Sequence, residues 1–273
     1  MSKTATRTLP DSPAGLAESV TILRTGGLVA FPTETVYGLG ADARNSQAVR
    51  RIFTVKKRSP SNPLIVLVQD LATARRLVDL NEQAERLAAA FWPGALTLVL
   101  PLKDDAGLSP LLGGDRQTLG VRLPGNSVAA RLLTAFGGPI AAPSANLSGM
   151  TSPTHAQHVL DQLGGRIDAV VDGGVSQAGV ESTIIGLDGP AVLHRPGAIP
   201  TEAIEACLGA QLPPVAARCA ARLWPPTSTE RDRATTRRAA AWVWRCRRRR
   251  RQLVARRRSG RGGRQPVSRP KQA

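Results

Sequence analysis

Two groups of side chains suited to binding oxyanions lie close together between Gly27 and Val68, in GLVAFPTETVYGLGADARNSQAVRRIFTVKKRSPSNPLIVLV. Thr33, Glu34 and Thr35 follow one short apolar run, and Lys56, Lys57 and Arg58 precede another. Hydroxyls at one strand end and cations ahead of the next strand are how an open α/β sheet builds a site for phosphate and a small acid. A solvated helix end and turn-making glycines would explain either group alone; the pairing favours the site. Further on, Ser144-Ala145-Asn146-Leu147-Ser148-Gly149 is a loop of small polar residues leading to Ser152, able to turn hydroxyls and backbone N–H groups toward phosphate oxygens. Arg122 stands between apolar Val121 and Leu123, where a charge needs a partner. It reads equally as a fork for a ligand carboxylate and as one half of a structural ion pair with an aspartate.

Missing motifs narrow the chemistry. The chain has no GxxxxGK[ST] loop, no GxGxxG after a strand, no GxSxG elbow and no HExxH. His155 and His158 stand at i, i+3 without a third ligand at metal spacing and read as surface histidines, and Asp104-Asp105 as a solvated turn. No metal site is expected. The remaining hydroxyls, Lys-x-Arg loop and arginines lack a catalytic base. Adenylation of a carboxylate or carbamate needs none, because its nucleophile is already an anion and catalysis rests on positioning and on cations that absorb phosphate charge.

The elements that must hold these groups follow from pattern. Leu28–Phe31 reads as a buried strand closed by Pro32, Gly38 and Gly40 as a tight turn or close approach, and Asn45 or Ser46 as the cap of a helix with Val49, Ile52 and Phe53 on one face. Strands are expected at 64–68, 95–100, 118–123, 140–143, 167–171 and 183–187, the last paired in a hairpin with 191–194. Helices are expected after Ser12-Pro13, at 71–79 behind Asp70, 82–91 behind Asn81, 127–136 behind Asn126, 155–163, and 201–208 behind Thr201.

Charge divides the chain. Residues 1–212 hold 18 basic and 18 acidic side chains, whereas 213–273 hold 19 basic and 2 acidic, so the whole net charge of +17 belongs to the tail. The neutral body therefore gives no electrostatic case for nucleic-acid binding, but the tail does. Its Arg, Ala, Pro, Gly and Ser composition cannot bury a core and is expected to be disordered. The three cysteines, Cys207, Cys219 and Cys246, lack the spacing of a zinc site or disulfide framework. No apolar run is long enough to span a membrane, which makes a cytoplasmic location the default. The organisation expected is a flexible N-terminus over 1–11, a catalytic domain over 12–212 and the basic tail over 213–273.

PTETVYGLG followed by a K-x-R loop ending in NPL resembles the YrdC family of threonylcarbamoyl-AMP synthases. FWPGALTLVL at 91–100, GVRLP at 120–124, APSANLSG at 142–149, GVESTI at 179–184 and LHRPGAI at 193–199 agree with it, in order. The resemblance implies an α/β fold of YrdC/RibB type, a twisted, mostly open mixed sheet with helices packed around it. It implies that L-threonine, bicarbonate and ATP are joined into threonylcarbamoyl-AMP with release of pyrophosphate, for threonylcarbamoyladenosine modification of tRNA by downstream transfer machinery. Carried over by position, Thr35, Arg122 and Ser182 are similar to threonine contacts. Arg58, Asn62, Thr118, Ser144, Asn146, Ser152 and Arg195 are similar to ATP contacts, and Lys56, with Arg58, to the catalytic cations. Magnesium is implied by the nucleotide. Two departures touch the site: Ser59 stands where the family usually has proline, and Leu67 where many members have histidine. Long members add a second domain, for which the tail is too short and too basic; an out-of-frame remnant of that domain is the alternative. The runner-up readings are a carbamoyl-phosphate-dependent adenylating domain and a non-enzymatic RNA-binding module, the latter opposed by the neutral body and its single tyrosine.

Overall fold

Alternation along the strands gives the sheet a core on each face. In the second strand Leu28 and Ala30 enter one apolar cluster while Val29 and Phe31 enter the other; Leu64, Val66 and Val68 oppose Ile65 and Leu67 in the same way. The structure, a computed structural model, describes residues 5–113 and 117–213. Its strands are β1 (Arg7–Pro10), β2 (Val29–Pro32), β3 (Tyr37–Asp42), β4 (Ile65–Leu67), β5 (Leu96–Pro101), β6 (Thr118–Arg122), β7 (Ile140–Ala141), β8 (Ala169–Asp172), β9 (Thr183–Gly186) and β10 (Val192–Arg195). They form one mixed sheet of order β1-β8-β2-β3-β7-β4-β6-β5-β9-β10. The β1–β8, β2–β8, β4–β6 and β5–β9 pairs are parallel and the rest antiparallel.

Helices α1 (Pro13–Arg24) and α5 (Ser127–Phe136) cover one face, with Leu16, Val20, Leu23, Leu132, Leu133 and Phe136 packed on Val29, Phe31 and Val171. Helices α2 (Ser46–Lys56), α3 (Leu71–Leu77), α4 (Glu82–Phe91), α6 (Ala156–Leu163) and α7 (Thr201–Leu208) cover the other. Ser12, Asn45, Asp70, Asn81 and Asn126 each accept a first-turn amide N–H, so five starts are fixed by the caps that the sequence offers. At α7 the expectation fails. Pro200 is the cap residue, Thr201 is already helical, and no side chain caps it.

Two strands are new relative to the sequence reading. The N-terminus expected to be flexible over 1–11 contains β1, which pairs with β8 through register Leu9↔Val171 and buries Leu9. Gly38 and Gly40 make no turn: both lie in β3, opposite Phe31 and Val29. Gly40 is needed for close approach, since a Cβ there would stand 2.7 Å from the Phe31 ring and 3.1 Å from the Val29 carbonyl. Apart from Pro213, the basic tail lies outside the described residues, as do Cys219 and Cys246. Cys207 is a free thiol. Among the described residues no helix is long and apolar enough to cross a membrane.

Candidate active site

The β2–β3 hairpin turn creates the first half of the site. Thr33 Oγ1 donates to the Val36 carbonyl at 2.7 Å and lies 2.8 Å from Thr35 Oγ1, which locks both hydroxyls into the turn. Between them, Glu34 is 1% exposed and its Oε1 is 2.6 Å from Arg122 Nη2. This is an ion pair without an aligned hydrogen bond: neither Glu34 oxygen has a hydrogen-bond partner. Arg122 Nε donates to the Gly94 carbonyl at 3.1 Å, in the turn before β5. Thus Arg122 is paired, as one of its two sequence readings required, but with Glu34 rather than an aspartate.

That contact reports the shape of the sheet. β2 and β6 are separated by β3, β7 and β4. In a flat sheet their axes would stand about 19 Å apart, beyond the joint reach of an arginine and a glutamate. Glu34, two residues past β2 in the turn to β3, is therefore brought to Arg122 by that turn and by the twist of the sheet. Since Val121 belongs to the cluster under α2 to α4, Arg122 points to the face that α1 and α5 cover elsewhere.

The second half is built around the end of α2. Lys56 is 1% exposed and its Nζ donates to the carbonyls of Ser144 and Asn146, both at 2.5 Å, while the Lys56 carbonyl accepts from Ser148 N at 2.9 Å. Lys57 turns the chain out of the helix in the left-handed region, at φ 51°. Arg58 then folds back on its own loop, its Nε donating to the Asn62 carbonyl at 3.2 Å and Nη2 to the Pro63 carbonyl at 2.8 Å. Burial, reinforced by Arg58, brings the Lys56 ammonium down to about 7 against the pull of Glu181. Burial also brings Arg58 down to about 10, with Glu181 opposing and Arg195 adding to the shift.

Glu181 sits among these cations. Its Oε1 accepts from Ser152 Oγ at 2.7 Å and its Oε2 lies 3.4 Å from Arg195 Nη2. Burial pushes its carboxyl up, but Arg195, the Ser152 hydroxyl, Lys56 and the Ser144 hydroxyl outweigh burial and hold it below the usual range. Arg195 also donates through Nε and Nη2 to the Ser182 carbonyl, and Ser182 Oγ lies 2.8 Å from Thr97 Oγ1. Gly197 permits this packing: a Cβ there would stand 2.5 Å from the Glu181 carbonyl oxygen.

The fold thus gathers Lys56, Arg58, Ser144, Asn146, Ser152, Ser182 and Arg195 around Glu181, and Thr35 and Arg122 around Glu34. Asn146 Oδ1 is buried without a hydrogen-bond partner. Asn62 enters through its carbonyl. Thr118 shares a strand face with Arg122 but stands four residues away, about 13 Å along β6. Glu181, and Glu34 as the partner of Arg122, are the functional groups that the sequence reading missed. The signals for Glu181 were its place in the GVESTI segment at 179–184 and the two hydroxyls that follow it, Ser182 and Thr183, at the entry to a strand. Among the described residues no three His, Cys, Asp or Glu side chains could together hold a metal ion. A cleft of about 440 Å³ beside Arg44, Arg75, Arg76 and Lys103 contains none of the site residues, and Arg44, Arg75 and Lys103 are paired there with Asp42, Glu85 and Asp79.

Comparison with known proteins identifies the family. The Sua5, YciO and YrdC family model, described as "Telomere recombination", matches residues 21–197. A threonylcarbamoyl-AMP synthase of Bacillus subtilis is 50% identical over 199 residues, covering 71% of this chain and 56% of the relative. One from Pyrococcus abyssi is 48% identical over 189 residues, covering 68% and 55%. The crystal structure of P. abyssi Sua5 complexed with L-threonine superposes with a TM-score of 0.73 at 42% identity, covering 77% of this chain and 63% of that one. The chain spans about half the length of the curated relatives it matches. With the family model spanning both halves of the site and the fold shared with P. abyssi Sua5, the chain belongs to the Sua5/YciO/YrdC family.

Proposed function

We propose that this chain synthesises threonylcarbamoyl-AMP from L-threonine, bicarbonate and ATP, releasing pyrophosphate. The observation that carries the reading is the gathering of Lys56, Arg58 and Arg195 with the Ser144 and Ser152 hydroxyls around Glu181, in the same segment whose Ala178 and Gly179 N–H groups donate to the Glu34 and Thr35 carbonyls of the Arg122 cluster. The names of the relatives and the threonine bound by P. abyssi Sua5 support the same substrates.

Threonine and bicarbonate first give the threonine carbamate and water. A carbamate oxygen then attacks the α-phosphorus of ATP in line: the new O–P bond forms as the bond to the β-phosphate oxygen breaks and its electron pair leaves with pyrophosphate. The chain's own contribution is orientation and charge. Thr35, Arg122 and Ser182 hold the threonine end; Arg58, Asn62, Thr118, Ser144, Asn146, Ser152 and Arg195 hold the nucleotide; Lys56 and Arg58 face the charge that grows on the leaving pyrophosphate. A magnesium ion bound to the nucleotide would find in Glu181, the carboxylate among the groups that donate to phosphate, one of the one or two protein carboxylates such an ion commonly takes. The product is an activated intermediate for tRNA modification in the cytoplasm, passed to threonylcarbamoyl-transfer machinery. The basic tail adds nucleic-acid binding without sequence preference.

Pyrophosphate release is the test. It should require threonine and bicarbonate together; release that persists with threonine omitted, or that needs carbamoyl phosphate instead, would replace this reading.

A further inference from the structure

Glu181 occupies the donors that an ATP phosphate needs. Ser152 Oγ donates to its Oε1 at 2.7 Å, Arg195 stands 3.4 Å from its Oε2, and the Ser144 hydroxyl and the Lys56 and Arg58 charges act on the same carboxylate. Glu34, the other buried carboxylate of the site, is held by Arg122. A phosphate entering this cluster meets three cations and one anion, and the anion is nearly enclosed, its side chain 11% exposed. Water therefore screens it poorly, so its repulsion of a second anion is strong. A metal-free triphosphate would have to displace Glu181 from Ser152 and Arg195 or bind against it. A magnesium-bound triphosphate carries two fewer negative charges and presents a cation. Magnesium keeps most of its waters and commonly takes one or two protein carboxylates beside substrate phosphates, so Glu181 can face the ion directly or through a bound water.

We propose that Glu181 is a specificity-determining residue that makes the site accept metal-bound ATP and reject the metal-free form. The inference rests on reading this cluster as the nucleotide site. It assigns Glu181 a role separate from that of the cations: they attract phosphate in either form, and Glu181 discriminates between the two.

The test is equilibrium binding of ATP alone, without threonine, to the full chain by titration calorimetry, once with excess magnesium and once with chelator at matched ionic strength. Wild type should bind the magnesium form at least about tenfold more tightly. Glu181→Gln, which keeps the shape and removes the charge, should bring the two affinities within about threefold, chiefly by tightening the metal-free complex. Glu181→Asp keeps the charge and should keep the preference. The inference is overturned if the Gln variant retains the full preference, if the Asp variant loses it, or if wild type shows none. A wild type that binds ATP in neither condition overturns the nucleotide reading itself, a different and recognisable result.

Discussion

Arg122 on β6 and Glu34 after β2 meet at 2.6 Å across three intervening strands, with side chains 6% and 1% exposed. The pair joins two distant parts of the sheet and fixes the guanidinium beside the Thr33 hydroxyl. Removing one member leaves the other charge buried and unpaired. Glu34→Met and Arg122→Met should each lose about 3–5 kcal/mol of stability, whereas the double variant carrying both methionines should lose much less than the sum. Denaturant unfolding of the two single variants and the double variant measures this; additive losses would show that the contact is not a coupled pair.

Lys56 should make nucleotide binding proton-linked. Its folded-state value is lowered by burial to about 7, below the ordinary lysine value. Between those two values the unfolded chain holds a proton that the folded chain lacks, so stability from this group rises with pH across that window and is reduced below it. Both bonds to the Ser144 and Asn146 carbonyls survive deprotonation, because a neutral amine still has two N–H donors. Phosphate charge favours the ammonium, so ATP binding at about pH 8 should take up a proton. Calorimetry in buffers of different ionisation heat reads the uptake. Lys56→Gln should abolish it, and binding by wild type without uptake would refute the assignment.

Lys56→Ala or Arg58→Ala should cut pyrophosphate release with threonine, bicarbonate and ATP on the order of a hundredfold or more, since each removes a cation from the phosphate end. Near-wild-type rates in both would reduce this loop to a solvated helix end.

Lys57 is exposed and left-handed at φ 51°, a region that costs a non-glycine residue about 1–2 kcal/mol. Lys57→Gly should raise stability by about 1 kcal/mol, less whatever the glycine loses in the unfolded state. An unchanged or lower thermal midpoint would count against strain at this cap.

Removal of the basic tail should separate two activities. Leu212 is buried and its N–H donates to Glu205 Oε1 at 2.9 Å, so the cut belongs after Pro213. The shortened chain should lose salt-sensitive binding to RNA while keeping adenylate formation within about tenfold, equivalent to about 1.4 kcal/mol of barrier. A larger fall would make the tail part of the enzyme.

Much of the frame was legible because local chemistry decides it. Asn45, Asp70, Asn81 and Asn126 cap the helices they precede, and apolar alternation marks β2, β4 and β5. β3 was not legible: glycines at two of its six positions erase the pattern that identifies a strand, and Gly40 is there because Phe31 packs close to it. β1, with Leu9 as its only buried residue, carries too little signal for any periodicity. The cations could be named one by one, but their counter-charges could not. Glu34 and Glu181 acquire partners only when strand ends and turns far apart in sequence converge, and spacing along the chain contains no measure of that convergence.

Lys56 engages the loop at 144–149 twice, through its ammonium to Ser144 and Asn146 and through its carbonyl to Ser148. The last turn of α2 and residues 144–148 are therefore tied at both ends of one residue. A displacement of the loop by an arriving phosphate must drag the helix terminus, and with it Lys57 and Arg58, instead of moving alone. The two phosphate-side segments would thus engage in concert, tied to each other through Lys56 and to β3 through the Ala145 N–H on the Tyr37 carbonyl. Slowed amide exchange at Ser148 should then track occupancy at Arg58.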